Sequence, residues 1–114
     1  MSGKQFEIWL ADLSPRLGTE PGKTRPVVIV QIDILNKIHP SSIICPITTK
    51  VKAGVSILRI NLKQGEANLK RDCAIMIDQL RAIDNKRLLR KIGTLKGERI
   101  QQIKENIKTV LDLD

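Results

Sequence analysis

The sequence predicts a mainly β protein, in which a small and strongly curved antiparallel sheet or barrel is followed by one C-terminal helix. Two observations support this fold class. Five or six short apolar segments are separated by turn residues, and only the last segment has a helical period. A length of 114 residues suits one domain and is too short for two of ordinary size, so we expect 1–114 to form a single domain.

Strands are expected where apolar residues alternate or where β-branched residues run together. In the first segment, Phe6, Ile8 and Leu10 alternate on one face. Trp9 interrupts the otherwise polar opposite face. In the final strand, Gly93 suggests a bulge. The complete set of expected strands is 6–13, 26–32, 41–49, 55–62, 73–84 and 88–95.

The C-terminal segment differs from the others in its period. Ile100, Ile103, Ile107, Val110 and Leu111 recur at steps of three or four residues, with Lys, Glu and Gln between them. This pattern is the apolar stripe of an amphipathic helix. We expect the helix to pack against the sheet or against a neighbouring subunit.

The composition limits the classes of partner. Twenty Lys and Arg residues against 12 Asp and Glu residues give a formal charge of +8, which favours a polyanion such as RNA or DNA, or an acidic protein. A solvated basic surface without a partner is the alternative. The sequence shows no apolar run of signal-peptide or membrane-spanning length, so we expect a cytoplasmic protein without a membrane partner.

The residue inventory excludes several common chemistries. Cys45 and Cys73 lie in separate apolar runs, which is typical of buried structural thiols. His39 is the only histidine, so neither a Ser-His-Asp triad nor a pair of catalytic histidines can form. No zinc-ligand spacing, Walker A motif or G-x-G-x-x-G loop is present, and we expect no metal and no cofactor. An enzyme with this inventory would use Arg, Thr, carboxylates and Gln, which suits phosphoryl chemistry.

The segment GTEPGKTRPVVIV contains the first candidate site residue, Arg25. Residues 14–25 are expected to form a long loop that Gly18 and Gly22 leave free to move. Pro26 restricts the backbone of Arg25 to extended geometry and would begin the next strand. A guanidinium fixed at the rim of a sheet can bind phosphate oxygens. The alternative is a strand-end arginine that is paired with Glu20 or with an aspartate.

Two further segments supply candidate polar groups. In CPITTK, Thr48 and Thr49 end a strand, and a hydroxyl at this place can donate to a phosphate or orient a ribose hydroxyl. In MIDQLR, Asp78 and Gln79 lie where an apolar strand turns polar, which indicates either a site or a sheet edge. A carboxylate there could act as a general base for a ribose 2′-hydroxyl if its environment raised its pKa.

In order and spacing, these segments resemble the MazF/PemK family of toxin endoribonucleases. IWLADLSPRLGTEPGKTRPVVIVQIDILN is similar to the family's opening strand, long loop and T-R-P-V-V-V-V-Q-N-D strand. CPITTK is similar to its P-I-T-S element, and IDQLRAIDNKRLLRKIGTL to its D-Q-I-R-T-I-D-K-x-R-L segment. The resemblance covers nearly the whole chain.

The resemblance implies an SH3-like barrel with a C-terminal helix, a homodimer, and metal-independent, sequence-specific cleavage of single-stranded RNA. By this analogy, Arg25 and Thr48 are the catalytic pair. Glu20 and Gln79 match positions that support the site or contact RNA. Asp78 matches a carboxylate proposed as the base in one branch, whose neighbouring arginine is replaced here by Met76. The resemblance also implies neutralisation by an acidic antitoxin protein.

Two rival functions belong to other classes. Gyrase-poisoning toxins share this architecture and act by protein contact, but their action does not need the Arg25–Thr48 pair. Simple SH3-like nucleic-acid-binding modules generally stack bases on exposed aromatic residues. Phe6 and Trp9 are the only aromatic residues here, which argues against such a module.

Overall fold

Along the residues that the structure describes, seven antiparallel strands and a C-terminal helix follow one another, one strand more than the six that the sequence predicts. The computed structural model describes residues 2–52 and 56–114. The strands are β1 (Glu7–Asp12), β2 (Thr24–Ile29), β3 (Ser41–Thr48), β4 (Arg59–Leu62), β5 (Cys73–Met76), β6 (Arg81–Asp84) and β7 (Leu88–Thr94), and the helices are α1 (Asp33–Asn36) and α2 (Glu98–Val110).

The strands form one curved sheet in the order β4-β5-β3-β2-β1-β7, and β6 pairs with β3. The long strand β3 uses one edge twice: its first half pairs with β6 and its last two residues pair with β5. The chain between β5 and β6 is a 3₁₀ turn at Ile77–Gln79. This turn lets a single continuous segment contribute to two parts of the curved sheet.

Three expected strands differ from the structure by more than one residue at an end, or are divided. The segment 73–84 is two strands rather than one, because the 3₁₀ turn interrupts it. The expected strand 26–32 begins earlier and ends at Ile29, because Thr24 and Arg25 already pair with β1. Of the expected strand 55–62, only the part from Arg59 is β4, and Val55 lies outside the described residues.

Two apolar clusters pack on opposite faces of the sheet. The first lies under α2 and includes Ile8, Val28 and Ile75, while the second includes Trp9 and Val27. Because adjacent residues of β1 and β2 belong to different clusters, both faces of these strands are buried. The sequence predicted one buried face for β1, and Trp9, which interrupts the polar side, belongs to the second cluster.

Both cysteines are buried in the first cluster, as their apolar surroundings predicted. Burial, and secondarily the negative charge of Asp78, raises the pKa of Cys45 to about 12. Burial, with smaller contributions from Glu66 and Asp72, raises the pKa of Cys73 to about 11. Both thiols are therefore protonated at neutral pH.

The helix α2 packs on the sheet through the predicted stripe. Ile103 is fully buried, and Ile100, Ile107 and Val110 are partly buried against the first cluster. Leu111 follows the last helical residue and is 52% exposed, so it does not continue the stripe. No helix in the described ranges is long and apolar enough to cross a bilayer.

Gly93 lies at an irregular place in the pairing of β1 with β7. The register shifts between Ile8 and Trp9, which agrees with the expected bulge. A Cβ atom at Gly93 would lie only 2.1 Å from the carbonyl oxygen of Ala67. Only glycine therefore allows β7 to approach the 3₁₀ turn Glu66–Asn68, where the Asn68 side chain also donates to the Ile92 carbonyl at 3.0 Å.

Candidate functional site

Arg25 is the second residue of β2. At this position β2 still pairs with β1, whereas its pairing with β3 begins only at Val27. Its backbone pairs with Ala11 of β1. Its side-chain Nε donates to the Gly22 carbonyl at 3.0 Å, and Nη1 makes a long hydrogen bond of 3.5 Å to the Ile47 carbonyl. These two contacts hold the guanidinium at the end of β3, because Ile47 immediately precedes the last residue of that strand.

The Arg25 guanidinium is half-buried and has no ion pair with a carboxylate among the described residues. The alternative that pairs it with Glu20 or an aspartate is therefore wrong for this structure. Partial burial, and secondarily repulsion from Arg16, lowers the pKa of Arg25 from its usual value. Arginine nonetheless stays charged. A bound anion would relieve both of these unfavourable effects.

Thr48 lies across from Arg25 at the end of the β2–β3 pair. Val27 pairs with Pro46, and continuing this antiparallel register by two residues sets Arg25 opposite Thr48. Side chains at opposite register positions lie on the same face of a sheet. The Thr48 hydroxyl accepts a hydrogen bond from the Lys50 backbone at 3.1 Å, which leaves its own hydrogen free to donate. Thr49 follows the strand and is exposed.

The loop before β2 contacts the site through Gly22. Gly22 is buried, and a Cβ atom there would lie 2.5 Å from the Cβ of Arg16. The glycine thus brings the loop close to Arg16 and presents its carbonyl to Arg25. Glu20 is half-buried in the same loop, and its backbone N–H donates to Leu17 at 3.1 Å.

Asp78 and Gln79 lie in the 3₁₀ turn between β5 and β6, beside the middle of β3. This turn is flanked by the pairs of Ile75 with Ile47 and of Arg81 with Ile44. Asp78 is exposed and forms an ion pair with Arg59. Gln79 is half-buried in the same turn. The register thus sets Arg25, Thr48 and Thr49 at one end of the β2–β3 pair. Glu20 lies in the loop that leads into β2, and Asp78 has a different partner.

Arg81 was not selected as a candidate from the sequence. It pairs with Ile44 in β6, which sets its side chain on the same face as those of Arg25 and Thr48. Its Nη1 is buried and has no hydrogen-bond partner among the described residues. A buried cationic donor without a partner is costly, and a water molecule or a bound anion at this place would satisfy it. Its position in the polar turn region was visible in the sequence, but its burial was not.

Comparison with known proteins assigns the chain to one family. The model of the PemK-like, MazF-like toxins of type II toxin–antitoxin systems matches residues 4–111. The curated protein Endoribonuclease EndoA of Bacillus subtilis (strain 168) is 33% identical over 110 residues, which are 96% of this chain and 95% of that protein.

Solved structures show the same fold. Mycobacterium tuberculosis toxin MazF-mt6 superposes with a TM-score of 0.79 at 24% identity, over 95% of this chain and 98% of that chain. MazF (Form-I) from Deinococcus radiodurans superposes with a TM-score of 0.83 at 15% identity, over 99% of each chain. The curved sheet with a C-terminal helix is thus the fold of MazF proteins, as the sequence predicted.

Proposed function

The chain belongs to the PemK-like, MazF-like toxins of type II toxin–antitoxin systems, and we propose that it is an endoribonuclease that cleaves single-stranded RNA at short specific sequences without a metal ion. The enzyme class is that of its curated relative. Messenger RNA in the cytoplasm is the expected substrate. The observation that carries the proposal is the guanidinium of Arg25, held by two carbonyl oxygens opposite Thr48, with no carboxylate partner in residues 2–52 and 56–114.

In the proposed reaction, a ribose 2′-hydroxyl oxygen attacks the adjacent 3′-phosphorus. The P–O bond to the next nucleotide breaks, leaving a 2′,3′-cyclic phosphate and a free 5′-hydroxyl. Arg25 stabilises the negative charge that develops on the phosphate oxygens, because it is a fixed cation and a poor proton donor. The Thr48 hydroxyl donates to the same phosphate and positions it.

The attacking 2′-hydroxyl must lose a proton, and the leaving 5′-oxygen must gain one. Glu20 is the better proposed acceptor of the first proton, because it lies in the loop whose Gly22 carbonyl holds Arg25. Asp78 is already engaged by Arg59. We place Thr49 and Gln79 as groups that support the site or contact RNA. The leaving oxygen can take its proton from water or from the acid formed in the first transfer.

The proposed protein partners are an acidic antitoxin and a second copy of this chain. The formal charge of +8 attracts an acidic, partly disordered antitoxin segment, which would become ordered as it binds. Exposed apolar residues near α1 form a patch of the kind found at protein interfaces. Its members are Ile32, Ile34, Leu35 and Ile38, which are 52%, 71%, 39% and 78% exposed.

Cleavage of a long RNA in excess EDTA tests the proposal directly. We expect the wild-type protein to cut at a small set of sequences and to leave 5′-hydroxyl ends, which can be mapped by ligation after phosphorylation. Arg25→Ala should lower the cleavage rate by about a hundredfold or more, as loss of an oxyanion donor does.

The proposed homodimer is tested by its mass in solution. Mass photometry or light scattering should give twice the monomer mass.

Lys108→Ala, which removes an exposed charge from the last turn of α2, is the matched control for Arg25→Ala and should cleave at the wild-type rate. A folded Arg25→Ala protein with wild-type activity would refute the assignment of Arg25. Intact RNA together with tight binding to gyrase would instead support the gyrase-directed alternative.

A further inference from the structure

A groove of about 420 Å³ opens beside the candidate site. Its floor is apolar and includes Leu10, Pro26, Ile47 and Leu69. Ile47 and Leu69 are buried, and Leu10 is half-buried. The groove is therefore a concave aliphatic surface on the face of the sheet that carries the first apolar cluster.

Three exposed cations surround this floor: Lys70, Arg71 and Arg90. None of them forms an ion pair within the described part of the chain. The lining, as far as residues 2–52 and 56–114 describe it, contains no carboxylate. This arrangement favours a ligand that carries negative charge on its outer side and an apolar surface on its inner side.

The groove and the Arg25–Thr48 pair meet at the end of the β2–β3 ladder. Pro26 follows Arg25, and Ile47 precedes Thr48. Because side chains alternate along a strand, Arg25 and Thr48 lie on one face of the sheet and Pro26 and Ile47 on the other. Thr49 lines the groove directly after Thr48. An RNA strand that crosses the end of this ladder can place one phosphate at Arg25 and Thr48 while an adjacent base enters the groove.

The groove offers a nucleobase an aliphatic floor and arginine side chains on which to stack. The only aromatic residues are Phe6 and Trp9, and both are buried, so they offer no stacking platform. Unstacked RNA bases also stack on arginine guanidinium planes. Arg71 and Arg90 supply such planes above an aliphatic floor, and Lys70 can bind a phosphate.

We propose that this groove binds the base next to the scissile linkage, that Lys70, Arg71 and Arg90 bind the flanking phosphates, and that the groove thereby contributes to the choice of cleavage sequence. This inference rests on the proposed function, because it takes RNA as the substrate.

A larger groove of about 620 Å³ between β7 and the turn Glu66–Asn68 is a weaker candidate. Two of its charged lining residues are neutralised within the fold: Lys91 pairs with Glu7 at 2.9 Å, and Glu66 pairs with Arg99 at 2.9 Å. These pairs leave less charge available for a polyanion.

Binding of an uncleavable RNA tests the groove separately from catalysis. The probe is a 5′-labelled, fully 2′-O-methylated 12-nucleotide RNA of randomised sequence, measured by fluorescence anisotropy in EDTA. The triple variant Lys70→Ala/Arg71→Ala/Arg90→Ala should weaken binding by about tenfold or more. It should also reduce the slope of log affinity against log salt by about two, at about 0.7 per phosphate contact.

The matched control triple, Lys63→Ala/Lys86→Ala/Lys108→Ala, removes the same charge from exposed positions outside the groove. It should stay within about threefold of the wild-type affinity. Equal losses in the two triples would show that only net charge matters and would overturn the proposal. Unchanged RNA binding by the groove triple would overturn it as well. If that variant instead lost its affinity for an acidic peptide, the groove would be reassigned to a protein partner.

The contribution of the base is measured with an abasic version of the same probe. The wild-type protein should prefer the base-containing probe, and Leu10→Gln should lose this preference, whereas Ile107→Gln, another half-buried position, should keep it. An equal preference in Leu10→Gln and the wild type would refute base binding in the groove. Groove-dependent binding together with uncut natural RNA would refute the proposed cleavage and leave the groove assignment intact.

Discussion

At the scale of single residues, Arg25 has an unusual set of neighbours for a half-buried charge. Carbonyl oxygens of Gly22 and Ile47 orient it, Arg16 repels it, and no carboxylate in the described ranges neutralises it. Carbonyl contacts fix direction but leave most of the positive charge uncompensated. An anion that binds at the end of β3 would therefore compensate the charge of the guanidinium and stabilise it.

Arg25 and Thr48 should behave as one catalytic unit. We expect Arg25→Lys and Thr48→Val each to reduce the single-turnover cleavage rate by about 10²-fold, since each removes a hydrogen bond to the reacting phosphate. The double variant should lose clearly less than the product of the two effects. Strictly multiplicative losses would mean that the two groups act on different parts of the reaction.

Glu7 links acidity to the stability of β1. Its carboxylate accepts hydrogen bonds from the Lys4 backbone at 2.7 Å and from the Trp9 indole at 3.0 Å, and it pairs with Lys91 at 2.9 Å. Burial acts to raise the pKa of Glu7, but these hydrogen bonds and the Lys91 charge together lower it below its usual value of 4.5.

A pKa that is lower in the folded chain than in the unfolded chain means that ionised Glu7 stabilises the fold above pH ~4.5, and that this stabilisation is lost as the pH falls through the folded-state pKa. Glu7→Gln should therefore be less stable than the wild type by about 1 kcal/mol at pH 7. Urea unfolding should show this gap closing as the pH falls toward about 3. A gap that is constant with pH would contradict the role of the charge.

At the scale of elements, the contact between β7 and the Glu66–Asn68 turn should be intolerant of any side chain at Gly93. Gly93→Ala should destabilise the fold by about 2 kcal/mol or more, because the neighbouring atom is a backbone oxygen that cannot swing away. Gly97→Ala is the control: its backbone φ is +60° but its Cβ would enter open space, so about 1 kcal/mol is expected. Thermal or urea unfolding measures both, and equal costs would contradict the steric explanation.

The elements that the sequence predicts well are those with a strong local pattern. The strand 41–49 and the helical stripe differ from β3 and α2 by one or a few residues. The stripe is set by burial of one helix face, and the strand is marked by a nearly continuous apolar run that is buried on both faces. The break at Ile77–Gln79 has no glycine or proline to mark it. It arises because β3 offers one edge to two strands, which is a tertiary effect that a local pattern does not contain.

At the scale of the whole molecule, the net charge of +8 should make RNA cleavage sensitive to ionic strength. Between about 50 and 200 mM salt, kcat/KM should fall by about tenfold or more, with kcat at saturating RNA nearly unchanged, since salt weakens encounter and binding rather than the chemical step. A series of potassium chloride concentrations in EDTA measures this. A salt-independent kcat/KM would contradict electrostatic capture of the substrate.

The candidate site was only partly predictable because its members come from distant segments. The local sequence indicated Arg25, Thr48 and Thr49, and the resemblance added Glu20. The register of β2 and β3 then sets Arg25 opposite Thr48 at one end of the sheet. Asp78 has a partner, Arg59, that a linear pattern could not identify. The cationic groove combines residues from β1, β3, β7 and the chain before β5, so only the folded chain assembles it.

The buried thiol of Cys45 reports on opening of the barrel. Cys45 is fully buried and protonated, so an alkylating reagent can modify it only during excursions in which the barrel opens. Its modification rate therefore reports the frequency of opening without an engineered probe. Any molecule that binds only the closed form, whether nucleic acid or antitoxin, should slow this modification in proportion to its occupancy.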